Sequence, residues 1–153
     1  MLNRIRDLLL KTGPGPAVPD PGQRLKLAAA ALMVRVASLD GEFGDAERDT
    51  IRRLLRERFT LSVDDTAALI AEADAMQEDS TQILPFTRAL KDALDEAERV
   101  RIMEMLWDVV LADGVLHDYE ANLMRRIAGL LYVSDQESGA ARQRVQARTV
   151  RSG

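Results

Sequence analysis

A short acidic motif occurs twice in this chain, and its repetition constrains the fold more than any other feature. An Asp-Gly pair is followed at fixed distances by a second aspartate and a glutamate, over residues 40–47 and again 73 residues later over residues 113–120. Apolar runs at helical spacing flank both copies and match each other at the same offset. We interpret the repetition as an internal duplication of a helix–loop–helix unit. The four identical pairs are Asp40 and Asp113, Gly41 and Gly114, Asp45 and Asp118, and Glu47 and Glu120.

The amino-acid composition favours a helical protein. The 153 residues are 46% hydrophobic, whereas aromatic residues make up only 4% and glycine and proline are few. A chain of this length suggests one domain that buries a substantial core. We therefore predict an all-α fold: a single-domain bundle of about seven helices, without strands, that contains two pseudo-symmetric helix–loop–helix units.

The first 22 residues differ in character from the rest. Apolar residues at helical spacing predict a short amphipathic helix over residues 2–11, and the Pro- and Gly-rich residues 12–22 predict an extended linker. We expect the helical domain to span residues 23–148 and the tail, residues 149–153, to fray. The apolar face of the first helix is expected to pack on the body of the protein. Contact with a membrane surface or a partner is the alternative.

Periodicity and capping residues predict the helices of the main domain. Helix starts are expected at Ser62 and at Ser134, where Glu137 would complete a capping box. Pro85 must lie near the first turn of its helix or kink it. Trp107 and four methionines, Met33, Met103, Met105 and Met124, fall on apolar stripes and are expected in the core. The predicted helices cover residues 23–39, 45–58, 62–77, 79–93, 95–111 and 118–131, and a polar helix follows from residue 134.

Charge and residue usage exclude several classes of function. The net charge is −4 and no long basic run is present, so we expect no nucleic-acid binding. The absence of cysteine excludes disulfides and sulfur-ligated metal. No apolar run reaches the roughly 18 residues of a membrane span, and charges interrupt the first ten residues, so a soluble cytoplasmic protein is expected. We interpret Arg142, Arg144, Arg148 and Arg151 as a solvated helix face, with an acidic or anionic-lipid partner as the alternative.

Aligned on Asp-Gly, each loop matches the second half of an EF-hand calcium loop. The first half decides against that interpretation. Its first and third ligand positions fall on Val36 and Ser38 in one copy and on Val109 and Leu111 in the other. Because aliphatic side chains cannot bind a hard cation, we exclude the EF-hand.

Two interpretations of the acidic loops remain open. In the first, Asp45 and Asp118 are helix N-caps, and the glutamates two residues later face the positive end of a helix dipole. In the second, pairing of the two units brings four carboxylates together and makes a site for a hard divalent cation. Asp108 lies near the same helix end and could add another ligand.

The repeated motif, with Leu106-Trp107-Asp108-Val109-Val110-Leu111-Ala112-Asp113-Gly114 at its second copy, resembles the TerB-like family of tellurite-resistance-associated proteins. The N-terminal domain of certain DnaJ-like cochaperones is similar. The resemblance covers roughly residues 25–143 and implies an all-helical domain with an acidic cluster proposed to bind divalent metal. By position that cluster would include Asp40, Glu47, Asp113 and Glu120.

The chain departs from this family pattern at one position. The family tends to have a glutamate five residues before each Asp-Gly aspartate, where this chain has Asp108 in the second half but Arg35 in the first. Because an arginine would itself pair with the acids, the predicted cation site shifts toward the second loop.

We expect no enzymatic activity. His117 is the only histidine, it lies in the second loop, and no Ser-His-Asp set, Walker loop or dinucleotide fingerprint is present. Two hypotheses remain. The chain is a TerB-like accessory protein of a stress response that binds Ca²⁺, Mg²⁺ or Mn²⁺ through Asp40, Glu47, Asp108, Asp113 and Glu120. Alternatively, it is a helical adaptor for a protein partner, and its acidic loops serve only as helix caps.

Overall fold

The computed structural model describes residues 21–39, 43–79, 83–114 and 116–152. Within these ranges all regular secondary structure is helical and no strand occurs, which confirms the all-α prediction. The predicted N-terminal helix (residues 2–11) and the first loop aspartate, Asp40, lie outside these ranges. The seven described helices are α1 (Pro21–Ala37), α2 (Asp45–Phe59), α3 (Val63–Asp79), α4 (Leu84–Ala93), α5 (Glu96–Val110), α6 (Asp118–Leu130) and α7 (Asp135–Ser152).

Helix α1 is the most deeply buried part of the fold. It contacts α2, α3, α4 and α5, and every residue from Ala28 to Val34 is buried. The sequence predicted only one buried stripe on this helix. Four consecutive alanines, residues 28–31, explain the difference, because small side chains let neighbouring helices approach closely from several directions.

Helix α5 is the second central helix, and it contacts α1, α2, α6 and α7. Trp107 is 6% exposed, and its Nε1–H donates a hydrogen bond to Ser138 Oγ on α7 at 3.1 Å. The four methionines assigned to the core are also buried. The core assignment of Trp107 and these methionines is therefore confirmed, and the tryptophan links α5 to α7.

The helix boundaries keep the spacing of the repeated motif. The last residues of α1 and α5, Ala37 and Val110, are 73 residues apart, as are Asp45 and Asp118, the first residues of α2 and α6. The helices on either side of the two acidic loops therefore end and begin at corresponding residues. The spatial pseudo-symmetry of the two units stays a prediction.

A second turn occurs twice as well, at a spacing of 72 residues. Thr60 after α2 and Tyr132 after α6 both adopt left-handed backbone conformations, with φ of 53° and 59°. Two residues later, Ser62 Oγ accepts the backbone N–H of Asp65 at 3.0 Å and Ser134 Oγ accepts that of Glu137 at 3.1 Å. The predicted serine caps are confirmed. The repeated unit therefore includes a third helix, α3 in the first half and α7 in the second.

Most helix boundaries lie within two residues of the predicted ones, and three differences are informative. Helix α1 begins at Pro21, two residues early, and α4 begins at Leu84, because Asp79 ends α3 instead of starting the next helix. Both α1 and α4 have a proline in the first turn, where the missing N–H has no helical partner to lose. Pro85 therefore causes no kink. Helix α7 continues to Ser152, into the expected tail.

None of the helices described between residues 21 and 152 has the length and apolar character needed to span a membrane.

Candidate functional site at the acidic loops

The start of α6 shows how the second acidic loop is built. Its N-cap is His117, so Asp118 is the first helical residue, and the prediction of Asp118 as N-cap was wrong by one position. The backbone N–H of His117 donates to Glu120 Oε1 at 3.0 Å, and Glu120 is only 9% exposed. A glutamate three residues after the N-cap thus turns back to pair with an N–H at the end of the helix.

The start of α2 places its glutamate at the same position. Its N-cap is Gly44 rather than Asp45, so the predicted cap was again one residue too late. Glu47 occupies the same position as Glu120, and a Cβ atom built on Gly44 would lie 2.5 Å from Glu47 Oε2. The glutamate therefore lies against the N-cap backbone, and a larger residue at position 44 would displace it.

The two aspartates predicted as caps have a simpler role. Asp45 and Asp118 are exposed first-turn residues, and their charges favour the positive ends of α2 and α6. Neither aspartate is an N-cap, because each already lies inside its helix. The N-cap residue comes before the helix, and its side chain accepts an N–H two or three residues later. Glu120 binds the N-cap residue His117 instead, and Glu47 lies against the N-cap residue Gly44.

Asp113 lies where α5 ends. It is exposed, and the next residue, Gly114, has a φ of +82°. The backbone N–H of Gly114 donates to the carbonyl of Leu111 at 3.0 Å, which tightens this turn. A glycine suits the left-handed conformation because it has no Cβ. The Asp-Gly pair of the second loop thus performs the turn chemistry expected of it.

Asp108 lies in a cluster of ion pairs between helices. Its side chain is 15% exposed, and its Oδ2 accepts a hydrogen bond from Arg148 Nη2 on α7 at 3.0 Å. Arg53 on α2 approaches Oδ1 at 3.9 Å. Asp108 therefore faces two guanidinium groups from two other helices.

Glu104, one turn before Asp108 on α5, belongs to the same cluster. It accepts hydrogen bonds from Arg148 Nη1 at 2.9 Å and from Arg144 Nε at 3.0 Å. Burial lowers the pKa of Arg148, but the hydrogen bond and charge of Glu104 and the charge of Asp108 outweigh this effect and raise that pKa above its ordinary value. We name Glu104, Asp108, Arg144, Arg148 and Arg53 the ion-pair cluster.

The ion-pair cluster adds to one prediction. Arg144 and Arg148 lie on an exposed helix face, as expected, and they also bind acids of α5. The sequence contained a signal for this contact, because the two acids and the two arginines are each four residues apart. Such spacing places each pair on one face of its helix. It does not show that the two faces meet.

The predicted cation site can be compared with these positions. Across the described residues, no three Asp, Glu or His side chains form a group that could hold a metal ion. Glu120 accepts a backbone N–H and Asp108 faces arginines, so these two carboxylates as placed do not fit one shared cation site. Asp40 lies outside the described residues. The site formed by Asp40, Glu47, Asp108, Asp113 and Glu120 stays a prediction.

His117 is the N-cap residue of α6. It is exposed, and its ring stacks on that of Tyr119 with a centroid distance of 5.2 Å and an interplanar angle of 3°. The two rings form a flat surface at the start of α6.

The chain was compared with known proteins in three ways. The family model described as Tellurite resistance protein TerB matches residues 26–143. That range begins in α1 and ends in α7, so it includes both acidic loops and the helices that position them. Comparison with curated proteins and comparison with solved structures each gave no match. Because the family model covers most of the chain, this protein belongs to the TerB family of tellurite-resistance proteins.

Proposed function

We propose that this protein is a non-enzymatic accessory protein of a tellurite-associated stress response and acts as a helical adaptor for a protein partner. The family supports the association with tellurite. One observation carries the adaptor hypothesis: Glu120, an acid of the repeated motif, accepts the backbone N–H of His117 and so serves the start of α6. The acidic loops then maintain the fold, and recognition belongs to another part of the surface.

Two exposed tyrosines at opposite ends of α6 are the contact residues that we propose for this partner. Tyr119 is 44% exposed and stacks on His117, and Tyr132 is 68% exposed. Tyrosine is enriched at protein interfaces because it combines apolar area with a polar end. Both rings lie outside the core, so they can be altered without disturbing it.

Tyr132 supports the proposal in a second way. It has a φ of 59°, a conformation that costs a side-chain-bearing residue about 1 kcal/mol or more and costs glycine little. Lys91 Nζ lies 4.8 Å from the ring centroid and holds the ring on the surface. Thr60 shares this backbone conformation, so the turn itself explains the φ, but the turn does not require a large exposed aromatic ring, which supports a binding role.

Deletion and complementation in the source organism, with growth on tellurite as the measurement, test this proposal. Tyr119→Ala combined with Tyr132→Gly should fail to restore tellurite resistance although the protein remains folded. Asp40→Asn combined with Asp113→Asn should restore it. The adaptor proposal is wrong if the tyrosine variant complements fully, and thermal unfolding of both purified variants controls for stability.

Binding of a divalent cation is the second candidate function. It is favoured by Asp113, whose carboxylate is exposed at the end of α5 and whose counterpart in the repeat is Asp40. Calorimetric titration with Ca²⁺, Mg²⁺, Mn²⁺ and Zn²⁺ tests this function directly. Binding that disappears in the Asp40→Asn, Asp113→Asn variant and persists in Asp135→Asn would support the cation function. Binding that is unchanged in both variants would place any site elsewhere.

A further inference from the structure

A groove of about 530 Å³ lies between the start of α1 and helix α4. Five apolar residues line it, and we call them its apolar floor: Leu25, Leu84, Pro85, Ala89 and Ala93. Leu84 is 43% exposed, which is high for a large aliphatic side chain. We propose that residues 2–11 of the same chain form an amphipathic helix that docks in this groove.

The proposed occupant has the pattern that such a groove requires. Leu2, Ile5, Leu8 and Leu9 recur at helical spacing and would form one apolar stripe. An isolated helix of about ten residues is marginal in water, so this segment needs a surface on which to fold. A helix of that length measures about 15 Å, and α4, which forms one side of the groove, also has 10 residues.

The position of the segment in the chain favours it over an external helix. Residues 12–20 connect it to α1, which begins at Pro21, and Arg24 and Leu25 in the first turns of α1 line the groove. Nine extended residues span about 28 Å, more than the length of α4. A tether of this kind gives an effective concentration on the order of millimolar. A free partner would have to compete with a helix already held beside the groove.

The charged rim of the groove does not select the occupant. Arg24, Arg88 and Asp92 line it, and they are mixed in sign. The segment also carries both signs, at Arg4, Arg6 and Asp7. The apolar floor and the tether therefore carry the proposal.

Cross-linking between pairs of introduced cysteines tests the proposal. Because the chain has no cysteine of its own, every disulfide that forms must join the introduced residues. Leu9→Cys would be combined in separate full-length proteins with Leu84→Cys, with Ala93→Cys and with Gln146→Cys. The first two positions lie at opposite ends of α4, and the third is on α7. We expect Leu9→Cys to cross-link within one molecule to one of the two α4 positions at least about tenfold faster than to Gln146→Cys.

Two outcomes would overturn the proposal, and a third would support it. Equal rates for all three pairs would mean that residues 2–11 have no preferred site. Cross-links between two molecules would assign the groove to a second copy of the chain. In the third outcome, the selective cross-link forms in the free protein and disappears only when vesicles of phosphatidylserine and phosphatidylcholine are added. This outcome supports docking in the free protein.

A pair of matched variants tests the apolar stripe itself. Ile5→Asp combined with Leu2→Asp should abolish the selective cross-link, because charges would replace the buried face. Asn3→Ala combined with Asp7→Ala, on the other faces of the predicted helix, should preserve it. Equal effects of the two variants would contradict docking through the stripe.

Discussion

Arg148 on α7 donates a hydrogen bond to Asp108 on α5 across a distance of 3.0 Å. Asp108 is the residue that the family resemblance placed near a metal site, and its counterpart in the first half of the repeat is Arg35. The second half therefore has an acid that is paired with an arginine from another helix, and the first half has an arginine in its place. The two copies differ in charge at the same helix position.

The first prediction concerns this contact. Arg148→Gln removes the guanidinium that bridges Glu104 and Asp108. The arginine side chain is 52% exposed, so solvent weakens the pairs, and we expect the free energy of unfolding to fall by about 1 kcal/mol. For a domain of this size, that corresponds to a decrease in Tm of roughly 2–4 °C. Urea unfolding followed by circular dichroism measures the change.

A double-mutant cycle separates the ion pair from other effects of the substitution. Asp108→Asn combined with Arg148→Gln should cost less than the sum of the two single variants. Arg126→Gln, on the exposed face of α6, is the control and should change stability little. Strict additivity of the pair, or an effect that persists undiminished in 1 M salt, would contradict the assignment.

The second prediction concerns Glu120. Glu120→Ala leaves the His117 N–H without its acceptor and should lower the free energy of unfolding by about 1–2 kcal/mol. Glu120→Gln keeps an acceptor oxygen and should cost less. Thermal and urea unfolding measure both variants.

The matched control for Glu120 is Asp118→Asn. Asp118 is exposed in the first turn and acts only through its charge, so a loss of about 0.3–1 kcal/mol is expected. If Asp118→Asn costs as much as Glu120→Ala, the glutamate has no special capping role.

The third prediction concerns the contact between α5 and α7. Trp107→Phe removes the donor of the buried hydrogen bond to Ser138 Oγ and should cost about 1–2 kcal/mol. The protein has a single tryptophan, so circular dichroism rather than fluorescence must follow unfolding of this variant. Ser138→Ala should add little to Trp107→Phe. Fully additive losses would show that the two residues act separately.

The fourth prediction concerns pH. A hydrogen bond from the Ser134 backbone N–H, followed by one from the Ser134 hydroxyl, lowers the pKa of Glu137. Because the folded pKa lies below the unfolded value of about 4.3, Glu137 contributes stability above that pH. The contribution is lost as the pH falls through the folded pKa. Tm measured from pH 7 to pH 3 should therefore decrease less steeply for Glu137→Gln than for the wild type.

Ser134→Ala provides an independent check of the same cause. Removing the hydroxyl should move the pKa of Glu137 toward its ordinary value, which NMR titration of the Glu137 carboxyl measures. The loss of the serine cap should also cost about 1 kcal/mol at neutral pH. An unchanged pKa in this variant would mean that the hydroxyl does not contribute to the shift.

The sequence predicted a helix start correctly where the capping side chain and the backbone N–H that it accepts lie within one turn of the chain. Ser62 and Ser134 cap α3 and α7 as expected, and Pro85 lies in a first turn. The N-caps were predicted at Asp45 and Asp118, one residue after the observed ones. The pattern of acidic residues does not show which residue is the last with a non-helical backbone before the helix begins. Glutamate three residues after the N-cap was the better signal.

The candidate site was less predictable than the fold. Periodicity places Glu104 and Asp108 on one face of α5, and Arg144 and Arg148 on one face of α7. No local rule states that these two faces meet. The ion pairs of the two arginines were not predicted for this reason, since a basic helix face has the same sequence pattern whether or not acids of another helix lie beside it.

The sequence by itself determined the duplication, the all-helical class and most helix ends, because these depend on backbone hydrogen bonds and caps within a few residues. Only the tertiary structure decided that α1 is buried on all sides between Ala28 and Val34, and that Asp108 faces Arg148, 40 residues away in the chain. Such contacts depend on how helices pack, and packing is set by the whole core rather than by any single turn.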